Sequence, residues 1–490
     1  MNRSILRLFS VVVLMFAVLV VWTSRWTVFS ASALDHNPLN KLQYYASLEV
    51  KRGEILADNG EVLAKSVKNS NGTWSRVYPQ GSLFAQAVGY YYPQQNRIAG
   101  IEQSRNQALS GVQNTQTSLF GSFNGTPATG NDVYTTLDPT GQALARKLLA
   151  GRVGAVVAIV PQTGAIRVMY SNPTYNPNNL SAPCPPNPEG IGCQFDMATQ
   201  AGLAPGSTFK LVVTAAALNS GKLTPNSTFA GPSPLIVSGT PLHNDANISY
   251  PPGTTLTTAL TDSIDTIYAQ VGQRVGAPLL QQYMKRFGFY SVPPIDYPAA
   301  QMRPSGEFYG GRFVPITNPN MDLGRSSIGQ GDLEVTPMQM AMVGAAIANG
   351  GTLMQPRFTT KIVNSDGQTV QTVAPKVYHQ VMRPAIAKEE ETMMRSVVIS
   401  GTGTAANVPG LEVVGKTGTA SINRCTHGPR INDTCPQGVP IDDAWFVAFS
   451  ELHPTIAVAV ELSDEPNGYG GTYAAPIAAQ MLKTLLAEKQ

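Results

Sequence analysis

The chain has 490 residues, 43% hydrophobic and only 13% charged, with a formal net charge of +3. That length allows two or three domains and a large core. A nearly balanced charge without a dense Lys/Arg run gives nucleic-acid binding no support, so any partner is chosen by shape and local chemistry.

Arg3 and Arg7 precede the apolar run Leu8–Trp22, which continues weakly to Trp26. This reads as a cytoplasmic tail at 1–7 and a single membrane anchor at 8–26, with the basic residues kept inside. Ala31-Ser-Ala33 mimics a signal-peptidase site, but Arg25 and the long apolar run favour an uncleaved anchor. The rest of the chain is then expected outside the cell membrane. Residues 27–150 alternate short β-like runs with turn residues, as in Tyr45–Gly53 and Glu54–Gly60, and are expected to form a separate β-rich domain. From 151 to 490 strands and helices mix, beginning with a strand, turn and strand over 154–169. Helices are expected at 207–219, 336–349, 385–399 and near 474–488, with a hairpin pairing 411–420 and 444–449. That pattern predicts an α+β domain containing an antiparallel sheet.

Ser207-Thr-Phe-Lys210, ahead of the apolar run Leu211–Leu218, puts a hydroxyl and an amine one helical turn apart. Serine becomes nucleophilic when a neighbour takes its proton, and lysine can do so where burial keeps part of it neutral. Alone, S-x-x-K is more often a helix cap beside a solvated face. Two further motifs follow, Ser263-Ile-Asp265 and Lys416-Thr417-Gly418-Thr419. The second lies in a β-like run whose glycine admits close backbone approach. Gly410 to Thr417 literally satisfies the P-loop pattern, but β-branched residues fill the supposed loop and no helix follows. The five histidines are scattered without ligand spacing, so neither a metal nor another cofactor is expected. Four cysteines fall into two local pairs, Cys184/Cys193 and Cys425/Cys435, whose simplest pairing closes two short loops in an oxidising compartment. One loop precedes Ser207 and the other follows Lys416, which places both as candidates for the rim of a cleft.

The ordered set S-x-x-K, S-x-D and K-T-G-T resembles that of penicillin-binding proteins and serine β-lactamases. Arg52-Gly53 through Gly60-Glu-Val-Leu-Ala64, Gly100–Gly111, Thr135–Asp138 with Gln142, and Ile328–Gly331 extend the likeness to class B penicillin-binding proteins, in particular the actinobacterial penicillin-binding protein A type. The resemblance implies a transpeptidase domain at 151–490, an antiparallel sheet flanked by helices, standing on a dimerisation-like pedestal at 27–150. It implies a D,D-transpeptidase acting on peptidoglycan stem peptides and trapped by β-lactams, working beside a membrane glycosyltransferase. Ser207 would be the nucleophile, Lys210 its base and Ser263 a proton relay. Lys416, Thr417, Gly418 and Thr419 would hold the substrate carboxylate. D,D-carboxypeptidase, β-lactamase and a non-catalytic division scaffold are the alternatives on the same fold. Three positions depart from the family. Ala57-Asp58 replaces an Asp-Arg pair, so an ion pair used there is expected to be missing. Asp265 stands where asparagine is usual, and an ionised aspartate only accepts hydrogen bonds, which would hold Lys210 charged and weaken acylation.

Overall fold

The computed structural model describes residues 3–26, 45, 48–111, 129–187, 190–426, 435 and 438–487, with the side chains of 422–425 outside that set. Helix α1 (Arg3–Ser24) has a mean hydropathy of 2.7 and buries no residue. At 1.5 Å per residue it is about 33 Å long, enough to cross a hydrocarbon core of about 30 Å.

The first domain rests on short extended segments, β1 (Ile55–Leu56), β2 (Val62–Lys68) and β3 (Trp74–Val77). Asn59-Gly60 turns β1 into β2, with Gly60 at φ 86° donating its N–H to Ala57 O. A short helix, α2 (Gly100–Ser104), and strand β4 (Asp132–Thr135) follow. Strand β1 runs antiparallel to β2 and parallel to β4. Beneath them Glu102 of α2 is fully buried and accepts from Arg52 Nη2 at 2.8 Å and Arg76 Nε at 2.5 Å. Three charged side chains thereby tie together three segments of a domain with few long elements.

The second domain begins with β5 (Val153–Ile159) and β6 (Ile166–Asn172), a hairpin turned at Gly164 (φ 70°). Helices α3 (Lys210–Asn219), α4 (Leu256–Thr261), α5 (Asp265–Val275) and α6 (Pro337–Ala348) come next. Thr255 and Thr336 cap α4 and α6 by accepting backbone N–H groups, and Pro337 occupies a first-turn position that has no N–H to satisfy. All twelve residues of α6 are buried, as an all-round apolar helix requires. Strands β7 (Thr359–Val363) and β8 (Thr369–Thr372) and helix α7 (Pro384–Ile399) lead to β9 (Val413–Cys425), β10 (Pro440–Ser450), β11 (Ala457–Pro466) and the closing helix α8 (Gly470–Ala487).

Five of these strands form an antiparallel sheet in the order β9-β10-β11-β5-β6, which leaves β9 at an edge. Both faces are covered, so β10 is apolar continuously rather than alternately. Trp445, Val447 and Phe449 enter the core that holds α6, while Phe446 and Ala448 enter the core that holds α8.

Strands β7 and β8 join the other domain instead, completing a six-stranded sheet in the order β8-β7-β4-β1-β2-β3. Asp296 anchors this exchange, accepting from Arg105 Nη2 at 2.6 Å, Phe358 N at 2.6 Å and Thr359 N at 2.9 Å. Asp58, where the resemblance led to an expected missing ion pair, pairs with Arg167 of β6, and Arg167 also meets Asp138 at 2.8 Å. Burial raises the Asp58 carboxyl and Arg167 opposes the rise. The Cys184–Cys193 disulfide is formed, with Cα atoms 5.6 Å apart. Its loop turns toward the first domain, where Gln86 Nε2 donates to Cys193 O at 3.2 Å. Cys435 is also disulfide-bonded, and the side chain of Cys425 lies outside the described residues.

Candidate active site

A single 3-10 turn, Gly206–Phe209, carries Ser207 into α3, whose first residue is Lys210. Residues three apart eclipse in such a turn, which sets the serine and lysine on one side. The turn is wedged against the edge strand. A Cβ on Gly206 (φ 51°) would lie 2.6 Å from Thr419 O, and one on Gly418 would lie 2.6 Å from Pro205 O. Both glycines are required by backbone contact between the Ser207 turn and β9. From the other side Gly206 N donates to Gly329 O at 2.9 Å, and Gln330 Nε2 donates to Thr419 O at 3.1 Å. The Ile328–Gly331 segment is thus part of the same wall.

Ser263 sits between α4 and α5 at φ 60°, a left-handed conformation that is costly for serine. The strain aims its hydroxyl at two lysines, with Lys210 Nζ at 3.2 Å and Lys416 Nζ at 2.9 Å from Ser263 Oγ. Lys210 also donates to Ser263 O at 2.7 Å and to Asp265 Oδ1 at 2.7 Å. Among the described residues no hydrogen bond joins Lys210 to Ser207 Oγ, so the amine is turned toward Ser263 and Asp265. Asp265 opens α5, where the free amide ends of the helix favour an anion.

Alternation along β9 should send Lys416 and Thr417 to opposite faces, since Lys416 pairs with Val447 and Thr417 with Phe446. The edge position resolves this. The lysine bends around the strand and donates to Thr417 O at 3.0 Å and Thr417 Oγ1 at 3.3 Å. Thr402 completes the chain, its hydroxyl 2.6 Å from Thr417 Oγ1. Sequence reasoning missed Thr402, which lies in a Gly-Thr-Gly run that carries only the mark of a turn. Gly470 N donates to Thr419 Oγ1 at 3.4 Å, so the start of α8 also reaches this strand.

Lys210 and Lys416 are both 0% exposed. Burial pushes the Lys210 amine below its ordinary value, while the Asp265 carboxylate pulls it back up. Lys416 falls well below its ordinary value, through burial first and the charge of Lys210 second, with Asp265 opposing. The arrangement can therefore hold a neutral amine beside a serine hydroxyl. It also offers a row of donors along a strand edge. Among the described residues no group of acids, histidines or cysteines could hold a metal ion.

The profile of the penicillin binding protein transpeptidase domain matches residues 154–483. The chain belongs to the penicillin-binding protein family. The penicillin binding protein A dimerisation domain matches residues 52–133. The chain is 30% identical to peptidoglycan D,D-transpeptidase PbpA of Mycobacterium tuberculosis over 99% of both chains, and 30% identical to PbpA of Mycolicibacterium smegmatis over 100% of both. The ceftriaxone acyl-enzyme complex of M. tuberculosis penicillin-binding protein A superposes with a TM-score of 0.76 at 28% identity, covering 90% of this chain and 99% of that one. The D,D-transpeptidase domain of an Eggerthella lenta peptidoglycan glycosyltransferase gives 0.75 at 30% identity, over 90% and 99%. A transpeptidase domain here follows a dimerisation domain and an N-terminal helix apolar enough to span a membrane.

Proposed function

We propose that this penicillin-binding protein is a peptidoglycan D,D-transpeptidase that acylates Ser207. The observation that carries the reading is the Ser263 hydroxyl held between two fully buried lysines beside the Ser207 turn. Ser207 Oγ attacks the carbonyl of the D-Ala-D-Ala bond, and its proton passes to neutral Lys210. The backbone N–H groups of Ser207 and Thr419 receive the oxyanion. The C–N bond then breaks, Ser263 passes a proton to the departing D-alanine nitrogen, and Lys210 passes the proton it took from Ser207 on to Ser263, whose hydroxyl lies 3.2 Å from its amine. A neighbouring stem's amine attacks the ester, gives up its proton through the same groups, and restores the Ser207 hydroxyl. Lys416, Thr417 and Thr419 bind the terminal carboxylate, and Thr402 orients Thr417 through its hydroxyl contact. Helix α1 holds the rest of the chain on the outer side of the membrane, next to a glycosyltransferase that supplies glycan strands. The two matched domains and the acyl-enzyme complexes of relatives support this reading.

The test is the purified full-length protein with labelled penicillin, followed by stem peptide with an added amine. The label is expected on the peptide that contains Ser207, turning over slowly, and the stem peptide is expected to couple to the amine. Rapid penicillin hydrolysis would indicate a β-lactamase, and release of D-alanine without coupling would indicate a carboxypeptidase.

Asp265 makes a second, smaller prediction. Its carboxylate favours the charged form of Lys210, whereas the base must be neutral. Acylation should therefore rise with pH as Lys210 loses its proton. Asp265→Asn removes the opposing charge, moves that limb to lower pH and speeds acylation at neutral pH by roughly tenfold, the usual effect of one close charge. An unchanged pH–rate profile would sink the idea.

A further inference from the structure

Helix α5 meets the Lys210 amine with a ring as well as with Asp265. Three residues further along the same face lies Tyr268, and Lys210 Nζ stands over its ring, 5.2 Å from the centroid. Both residues are 0% exposed. Thr214 fixes the ring from α3. Its hydroxyl donates to Lys210 O at 2.7 Å, which uses its single proton, so in the 2.7 Å contact with Tyr268 Oη the phenol is the donor. One threonine thereby ties the backbone of Lys210 to the far end of the ring that its amine faces. At the other end Tyr268 N donates to Ile264 O at 3.1 Å, within the segment that carries Ser263 and Asp265.

The charge on Lys210 changes during acylation, and a ring face distinguishes the two forms. A neutral amine gains little from the negative face of an aromatic ring, whereas an ammonium is attracted to it, most strongly where water is excluded. When the Ser207 proton reaches Lys210, the new positive charge meets Asp265 Oδ1 at 2.7 Å on one side and the ring on another. Lys416 of β9 acts against that charge, because the two amines repel each other. Glu390 of α7 acts on Tyr268 from behind, and burial pushes its carboxyl well above the ordinary range, which favours its uncharged form. Burial likewise raises the Tyr268 phenol, so the ring stays neutral.

We propose that Tyr268 is a positioning residue for acylation, one that holds the Lys210 ammonium against its ring face once the Ser207 proton has arrived. The proposal rests on the reading of Ser207 as nucleophile and Lys210 as its base. In that step the Ser207 O–H bond breaks while its oxygen bonds to the substrate carbonyl carbon, and the proton joins the Lys210 lone pair. Tyr268 acts through the charge that this step creates. Its ring strengthens the base without offering the proton a competing acceptor, which a second carboxylate in that place would do. The consequence is a higher pH for the neutral amine, the same direction in which Asp265 acts.

The test grades the ring face with little change in its size. Full-length protein in detergent carries phenylalanine at position 268, or its 4-fluoro, 3,5-difluoro or 3,4,5-trifluoro analogue, since each fluorine withdraws electron density from the face. The pH–rate profile of penicillin acylation is measured for each. The titration of Lys210 is followed in parallel by carbon-13 NMR of lysine labelled at Cε, assigned with Lys210→Met. Tyr268→Phe, the conservative variant, is expected to keep the wild-type midpoint, because it keeps the ring and loses only the Thr214 contact. Fluorination is expected to lower both midpoints step by step, by about one pH unit across the series, the size of a desolvated cation–π contact. The high-pH plateau of acylation should fall with them, since a weaker base takes the proton less readily. A ring that only fills space predicts no dependence on fluorine count, so equal midpoints across a series that penicillin labels overturn the proposal alone. A graded Lys210 titration with a flat acylation profile overturns it too. Wild-type protein that penicillin does not label would instead defeat the acylation reading, and the proposal with it.

Discussion

Ser207→Ala is expected to abolish covalent labelling by penicillin, and Lys210→Met to slow it by about a thousandfold, in the range of losing a positioned general base. The two variants report different things. Without Ser207 there is no oxygen to acylate, so label on the variant would refute the assignment outright. Without Lys210 the nucleophile remains, but its proton has no neutral acceptor nearby. Methionine fills the apolar part of the Lys210 site, and the Asp265 carboxylate left behind is 29% exposed and can be solvated. The variant should therefore fold, which separates a chemical defect from a structural one. Lys210→Arg sharpens the comparison, since arginine keeps the cation but cannot give up its proton. It should be as slow as Lys210→Met at every pH, whereas wild-type acylation rises as Lys210 deprotonates. Equal rates for wild type and Lys210→Met, measured by stopped-flow or rapid-quench labelling, would remove Lys210 from the mechanism.

Much of this site is legible in the chain because each motif is short and locally folded. Ser207 and Lys210 share one turn, Ser263 and Asp265 flank one helix start, and Lys416 to Thr419 lie on one strand. Local periodicity also finds α6, α7 and the β9–β10 hairpin to within a few residues. What escapes is whatever depends on long-range pairing. No local pattern tells Thr359–Val363 to leave its own domain and pair with Asp132–Thr135, because any amphipathic strand can serve either sheet. Thr402 reads only as part of a turn until β9 is placed beside it. Likewise the replacement of the family's Asp-Arg pair says nothing of where Asp58 will find its cation, which is Arg167 on the next domain. The strained φ of Ser263 is equally silent in sequence, since the strain is imposed by the packing of α4 and α5 around it.

Glu102→Ala is expected to destabilise the first domain by about 3–5 kcal/mol, the range for removing one partner of a buried ion pair. The reason is what it leaves behind. Arg52 and Arg76 are nearly inaccessible to water, and Glu102 is the carboxylate that both of them contact. Burial raises the Glu102 carboxyl, but Arg76 and then Arg52 lower it further, so that its value in the folded chain is below normal. A depressed folded value means that Glu102 stabilises the fold above the ordinary carboxylate range. That stability is lost as pH falls below about 4. Wild-type protein should thus lose first-domain structure below about pH 4, and Glu102→Gln should already be destabilised at pH 7 while depending less on pH in the acid range. Hydrogen exchange of the β1–β4 amides at pH 7 and at about pH 3 measures both effects. Loosening should reach the second domain through Arg105, just beyond α2, whose contact with Asp296 holds the start of β7. Exchange in β7 and β8 should rise with it, while β9, β10 and the Ser207 turn stay protected. Equal exchange in wild type and Glu102→Gln at pH 7 would show that the two arginines are adequately solvated without their carboxylate, and the charge argument for this domain would then fail.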